Sequence, residues 1–221
     1  MLVQHEHVER NTATGGKMDN KALEQRLNEE VLEFIRDRRS LQIASVDQDG
    51  VPFASYAPFA ADDRSFYVVL SDIAVHGKNL LQESRGSVLL IEDEDAAEEL
   101  FARRRVSYQI RAEAPEVDSA EWSTGVELLE ERLGKMPRML SELDDFRVFR
   151  LHPVSGRYVK GFGAAYALAG GLLGQASVDH LTDGHRSRRK SGKNSSESNG
   201  EKNESHDIEA NRKQNDSHQA A

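Results

Sequence analysis

Short segments of alternating apolar and polar residues, separated by turn signals, follow one another through the middle of the chain. Period-two alternation predicts strands with one buried face, and glycine, proline and aspartate between such runs predict turns. A run of short strands with few helices between them is typical of a small antiparallel barrel. The predicted strands cover residues 41–46, 51–59, 65–70, 87–91, 105–112, 146–151 and 156–162.

A few helices are predicted in the segments before and between these strands. Asn20 is placed to cap a helix that runs to about Arg38, with leucines, valine and phenylalanine at helical spacing. Residues 76–83 predict a short helix, and the acidic residues 92–100 favour a helical segment. Ser119 predicts the cap of a helix that ends near Leu133. The fold class is therefore mainly β with flanking helices, and residues 153–156 are interpreted as a turn between the last two strands.

The two ends of the chain differ from its middle. Residues 1–19 are polar, and residues 188–221 are dominated by serine, asparagine, lysine and glutamate, with Ile208 as a lone large aliphatic residue. Such segments cannot bury enough apolar surface to fold, so we expect both to be disordered. The predicted folded domain spans residues 20–187.

Composition excludes several function classes. The formal net charge of −9 argues against general nucleic-acid binding, which needs a dominant basic surface. The absence of cysteine excludes disulfides, thiolate metal sites and cysteine nucleophiles. No apolar segment approaches the roughly 20 residues that span a bilayer, and the N-terminus has no apolar secretory core. We therefore expect a cytoplasmic protein without membrane insertion.

Four blocks of sequence together resemble a known family, the haem-utilisation branch of the pyridoxamine-phosphate-oxidase-like split barrels, called HutZ and HugZ. The resemblance covers roughly residues 22–187. The blocks are LQIASVD at 41–47 with SYAPF at 55–59, SDIAVHGKNL at 71–80, IEDE at 91–94 with LFARRR at 100–105, and DF at 145–146 with FRL at 149–151 and VKGFGAAY at 159–166. The segment Gly184-His185-Arg186 belongs to the same pattern.

The resemblance implies a homodimer of six-stranded antiparallel split β-barrels of the FMN-binding type, with ligand sites at the dimer interface. It also implies a haem oxygenase, for which haem is ligand and substrate, an electron donor is needed and iron is released. Two alternatives stay open: a non-enzymatic haem carrier or storage protein, and an FMN-dependent oxidoreductase. FMN is the less favoured cofactor because residues 40–46, where flavin-binding relatives carry basic residues, have none.

The resemblance also assigns the candidate site residues. His185 corresponds to the axial ligand of the haem iron, although an exposed histidine in a polar tail is the plainer interpretation of that residue alone. Asp145 corresponds to a carboxylate, contributed by the other subunit, that accepts the imidazole N–H. His76 either lines the cleft or has a structural role, and Lys78 falls where relatives bind a phosphate. Arg103 could pair with a haem propionate or a distal oxygen ligand, or belong to a solvated helix face.

Overall fold

The structure, a computed structural model, describes residues 15–180 of the chain, and the side chains of residues 20–176. The helices are α1 (Gly15–Asp37), α2 (Val75–Gln82), α3 (Ala120–Leu133) and α4 (Met136–Ser141). The strands are β1 (Ser40–Val46), β2 (Pro52–Pro58), β3 (Ala60–Ala61), β4 (Phe66–Ser71), β5 (Arg85–Ile91), β6 (Arg105–Glu113), β7 (Phe146–Gly161), β8 (Ala164–Ala169) and β9 (Ala176–His180). The predictions for His185, for residues 1–14 of the expected disordered segment 1–19 and for the expected disordered tail 188–221 lie outside the described residues. The disorder expected of residues 15–19 is wrong, because these residues form the start of α1.

One curled antiparallel sheet contains all the strands of the described region. Its order is β2-β1-β5-β6-β7-β4-β3, and β8 and β9 extend it from β7. The six strands β1, β2 and β4–β7 form a half-barrel, while β3 has only two residues. The predicted mainly β split barrel with flanking helices is therefore confirmed. No helix in residues 15–180 is long and apolar enough to span a membrane.

The sheet encloses the main core on its concave face. Leu41 and Ile43 of β1 point inward, while the residues between them are exposed, as their alternation predicts. The apolar face of α1 packs on the same cluster through Val31 and Phe34. A second cluster lies under α3, so both faces of β4 are covered. This explains why β4 is a continuous run of apolar residues.

Two helix predictions need correction. Helix α1 begins at Gly15, so Asn20 lies inside it and is not its N-cap. Residues 92–100 form no α-helix but part of a loop with two short 3-10 turns. Arginines draw its carboxylates into the ion pairs Arg38–Asp93, Arg103–Glu94 and Arg104–Glu92. These pairs, one of which links the segment to the distant α1–β1 connection, compete with a local helix. The Ser119 cap is confirmed, since its Oγ accepts from Trp122 N at 3.2 Å.

The expected turn at residues 153–156 is instead a bulge within one long strand. Ile110 pairs with Pro153 and Gln109 pairs with Ser155, which leaves Val154 as the extra residue. Gly156 is required for packing, because a Cβ there would lie 2.5 Å from Cδ1 of the buried Tyr108 ring. Helix α4 and strands β8 and β9 were not predicted.

Candidate functional site

The loop between β4 and α2 holds the carboxylate of Asp145. Ser71 Oγ donates a hydrogen bond to Asp145 Oδ2 at 3.1 Å, and Ser71 Oγ itself accepts one from Ile73 N at 3.2 Å. The Asp72 N–H donates to the Asp145 carbonyl oxygen at 2.8 Å. Asp145 is half-buried, whereas Asp144 beside it is exposed. Backbone and side chain of Asp145 are thus both fixed, and Asp145 is the oriented carboxylate of the pair.

His76 lies in the first turn of α2, at the other end of the same loop. Its Nδ1 is 2.9 Å from Ser55 Oγ on β2, and burial lowers the pKa of the imidazole from its usual 6.5. Gly77 brings α2 close to β4, because a Cβ at this position would overlap the Ser71 carbonyl. The segment from Ser71 to Gly77 is therefore one tightly packed unit that positions both Asp145 and His76.

Lys78 follows on the outer face of α2. Its side chain is exposed and makes no hydrogen bond or ion pair with residues 20–176. The next residue, Asn79, points inward and donates from Nδ2 to Ser45 Oγ at 3.1 Å, which fastens α2 to β1. Lys78 is thus an available cation at the surface of the unit that carries His76.

Arg103 lies apart from the other described candidates. Its guanidinium donates to the Glu92 carbonyl oxygen and pairs with Glu94 Oε1 at 3.1 Å. Arg105, at the start of β6, pairs with Val159 near the end of β7, whereas Asp145 immediately precedes the start of β7. The structure therefore does not bring Arg103 together with Asp145 and His76.

A cavity of about 470 Å³ is lined by both chain neighbours of Asp145, namely Asp144 and Phe146, but not by Asp145 itself. Its walls include Trp122 from the first turn of α3, and Phe146 and Arg147 from the start of β7. Arg147 Nη2 also lies 3.3 Å from Asp72 Oδ2, so the cavity is joined to the β4–α2 loop. Sequence reasoning did not assign these three residues. The signal that could have found them is the single tryptophan of the chain and the position of Phe146 and Arg147 directly after Asp145.

Trp122, Phe146 and Arg147 thus line this cavity together with the carboxylates of Asp118, Glu142 and Asp144. The two aromatic side chains offer apolar surface to a planar ligand, and Arg147 is the cation of the lining that could pair with an acidic group. No group of three or more histidine, aspartate or glutamate residues within the described part of the chain could hold a metal ion.

Comparison with known proteins assigns the family. The family model for pyridoxamine 5'-phosphate oxidase matches residues 27–160. A Vibrio cholerae protein described as heme oxygenase HutZ is 41% identical over 170 residues, which is 77% of this chain and 96% of that protein. The chain belongs to the HutZ group of the pyridoxamine 5'-phosphate oxidase-like family. The HutZ resemblance expected from the four sequence blocks is therefore confirmed.

Solved structures agree with the HutZ assignment. The crystal structure of Vibrio cholerae HutZ, described there as a heme storage protein, has 41% identity and a TM-score of 0.55, covering 57% of this chain and 89% of that chain. Campylobacter jejuni ChuZ has a TM-score of 0.63 at 22% identity, covering 80% of this chain and 77% of that chain. At that lower identity ChuZ supports the fold alone.

Proposed function

We propose that the protein binds haem and opens it oxidatively with release of iron, using His185 as the axial ligand. The observation that carries the proposal is the carboxylate of Asp145, which Ser71 orients and whose chain neighbours Asp144 and Phe146 line a cavity together with Trp122. The 41% identity to a protein described as heme oxygenase HutZ supports the same conclusion. Bound haem would supply the redox chemistry, with an external electron donor.

Asp145 acts on the ligating histidine. A carboxylate that accepts the second imidazole N–H fixes the tautomer and makes the imidazole a stronger donor to iron. Ser71 keeps the carboxylate in place, since its proton is already donated to Oδ2. Asp145 Oδ2 thus accepts one hydrogen bond within the loop, and the remaining lone pairs of the carboxylate are available to accept the imidazole N–H.

The other candidate residues bind and orient. Arg147, partly exposed at the cavity, can exchange Asp72 for a propionate, because guanidinium groups pair well with carboxylates. Lys78 offers a second, unpaired cation on α2. His76 is neutral above its lowered pKa, so it contributes a polar but uncharged side chain to the Ser71–Gly77 segment. Arg103 would contact a propionate only after leaving Glu94.

A second copy of the chain completes the site in this proposal. Edge strand β2 and the neighbouring β4–α2 segment expose large apolar side chains, namely Phe53, Tyr56, Ile73 and Val75. An apolar surface of this kind is typical of an interface between protein chains. The family resemblance implies that such a homodimer pairs Asp145 of one subunit with His185 of the partner subunit.

The test is titration of the purified protein with haemin, followed by ascorbate in air with an iron chelator present. We expect a Soret band that forms on titration and is then lost as chelated iron appears. His185→Ala should weaken haem binding at least about tenfold, the scale on which lost metal ligation and its support act. Asp145→Asn should still bind haem but turn it over more slowly, and the control Asp49→Asn, at an exposed aspartate of the β1–β2 turn that does not line this cavity, should behave as the unmodified protein. Equal rates for the Asn variants at 49 and 145 would rule out the role of Asp145.

Haem storage is the second candidate, favoured by the description of the solved HutZ structure. It predicts a Soret band that stays stable after addition of ascorbate. The flavin alternative is not favoured, because β1 carries no basic side chain to hold a phosphate. It would require a protein that purifies yellow and loses its colour on Lys78→Ala.

A further inference from the structure

A second cavity lies away from Asp145. It has a volume of about 490 Å³ and sits between the α3–α4 pair and the ends of β1, β2 and β4. Its walls are apolar and include Pro58, Val69, Leu129, Leu133, Met136 and Pro137. It shares no lining residue with the cavity beside Asp145. Leu129 and Leu133 lie two to three helical turns along α3 from Trp122, about 10–16 Å at 1.5 Å per residue.

The mouth of this cavity is cationic. Arg39 lines it, is exposed, and makes no side-chain hydrogen bond or ion pair with residues 20–176. Arg132 lies close behind, donating from Nη2 to the carbonyl oxygens of Arg36 and Arg38, while its buried Nε has no partner within the described residues. Burial and the charge of Arg39 both lower the pKa of Arg132. Arg39 therefore supplies an exposed positive charge at the cavity, and Arg132 lies near it with its guanidinium bonded to backbone carbonyls.

We propose that this cavity binds a monoanionic amphiphile with an unbranched apolar chain, of the fatty-acid carboxylate class, with its head group at Arg39. The volume lies in the range of small-molecule sites, and mostly apolar walls with one charged group are typical of such sites. Met136 adds a flexible thioether that adapts to a chain of variable shape. No aromatic side chain is among the lining residues, so a flat ring would find no stacking partner here.

Sodium decanoate, added to protein with 13C-methyl methionine, provides the test. Met136 lines the cavity and Met139 does not, yet both are 60% exposed, so Met139 is an internal control. We expect saturable movement of the Met136 methyl signal without movement of Met139. Arg39→Ala should weaken binding about tenfold, as expected for loss of one charged hydrogen-bonded pair. The matched variant Arg36→Ala, three residues earlier and outside the cavity lining, should not.

Four results would overturn the proposal. Equal affinity for neutral 1-decanol would remove the role of the cationic mouth. Equal movement of both methyl signals would mean non-specific association. Displacement of decanoate by one equivalent of haemin would assign the cavity to the haem site. If decanoate does not bind, and the Met136 methyl signal moves when the protein is diluted through a monomer–dimer transition, a second copy of the chain covers the cavity.

Discussion

The imidazole of His76 is held where a positive charge is unfavourable. Burial lowers its pKa, and Nδ1 lies 2.9 Å from Ser55 Oγ. Between the lowered folded-state pKa and the unfolded value of about 6.5, the unfolded chain binds more protons than the folded chain. Stability should therefore rise with pH across this window and fall as the solution is acidified through it.

His76→Gln tests this pH dependence, because glutamine keeps a polar side chain but does not titrate. In urea unfolding, the unmodified protein should lose more stability than the Gln variant between about pH 7.5 and about pH 5. Proton NMR titration of the His76 ring should give a midpoint below 6.5, the value from which burial shifts it. A midpoint above that value, or identical pH profiles for the two proteins, would contradict the interpretation.

Gly77 is the residue that lets α2 meet the end of β4. A Cβ would overlap the carbonyl oxygen of Ser71, which is backbone and cannot rotate away. We expect Gly77→Ala to destabilise the protein by about 1–3 kcal/mol, as overpacking does, despite the better helix propensity of alanine. Chemical denaturation measures this cost. Gly161→Ala is the matched control, since nothing lies within 4 Å of a Cβ there, and its effect should stay within about 0.5 kcal/mol.

The same substitution affects the candidate site, since Ser71 also holds Asp145. Displacing the Ser71 backbone should move the carboxylate, so Gly77→Ala should slow haem turnover at temperatures where the variant is still folded. Normal turnover in a folded Gly77→Ala protein would show that the position of Asp145 does not depend on this contact.

At the scale of elements, helix α3 has an N-terminal cap whose contribution to stability can be tested by removing a single side-chain oxygen. Ser119 Oγ accepts from Trp122 N, which satisfies a free N–H at the helix start next to a wall of the Asp145 cavity. Ser119→Ala should cost about 1 kcal/mol of unfolding free energy. Thr124→Ala in the same helix removes a hydroxyl that only bonds back to Ala120 O, and should be neutral or slightly stabilising. Equal losses from both variants would mean that the cap contributes nothing specific.

The elements that were predicted correctly are those whose pattern matches one buried face. Strand β1 alternates cleanly and Ser119 caps a helix, so local sequence was sufficient. Strand β8 is rich in alanine, which has low strand propensity, and it becomes a strand because β7 and β9 pair with it. The helix expected over residues 92–100 is absent because Arg38, distant in sequence, and the nearby Arg103 pair with carboxylates of this segment.

The candidate site was likewise predictable only for residues that lie in recognisable local sequence blocks. Asp145 and His76 lie in sequence blocks that resemble the family, and the structure ties both to the β4–α2 loop. Trp122 comes to the same end of the sheet only because α3 packs across β4 and β7, which no local pattern indicates. The separation of Arg103 likewise follows from strand register.

At the scale of the whole molecule, the proposed homodimer has a consequence for how defects combine. If Asp145 serves the histidine of the other subunit, each site draws one residue from each chain. A dimer that pairs an Asp145→Asn chain with a His185→Ala chain then contains one site with both defects and one site with neither. If both residues of a site came from the same chain, each site of the mixed dimer would carry one defect.

Co-refolding or co-expression of the two impaired variants separates these arrangements. Random pairing of equal amounts makes half of the dimers mixed, so about a quarter of all sites should be intact and turnover should recover to about that fraction. The rate of each variant alone is the baseline above which recovery in the mixture is measured. Tyr56→Glu places a charge on the exposed β2 face and should prevent both dimerisation, measured by light scattering, and recovery. A mixture no more active than its components, in a sample shown to contain mixed dimers, would place Asp145 and His185 of each site on one chain, because only the shared arrangement regenerates an intact pair.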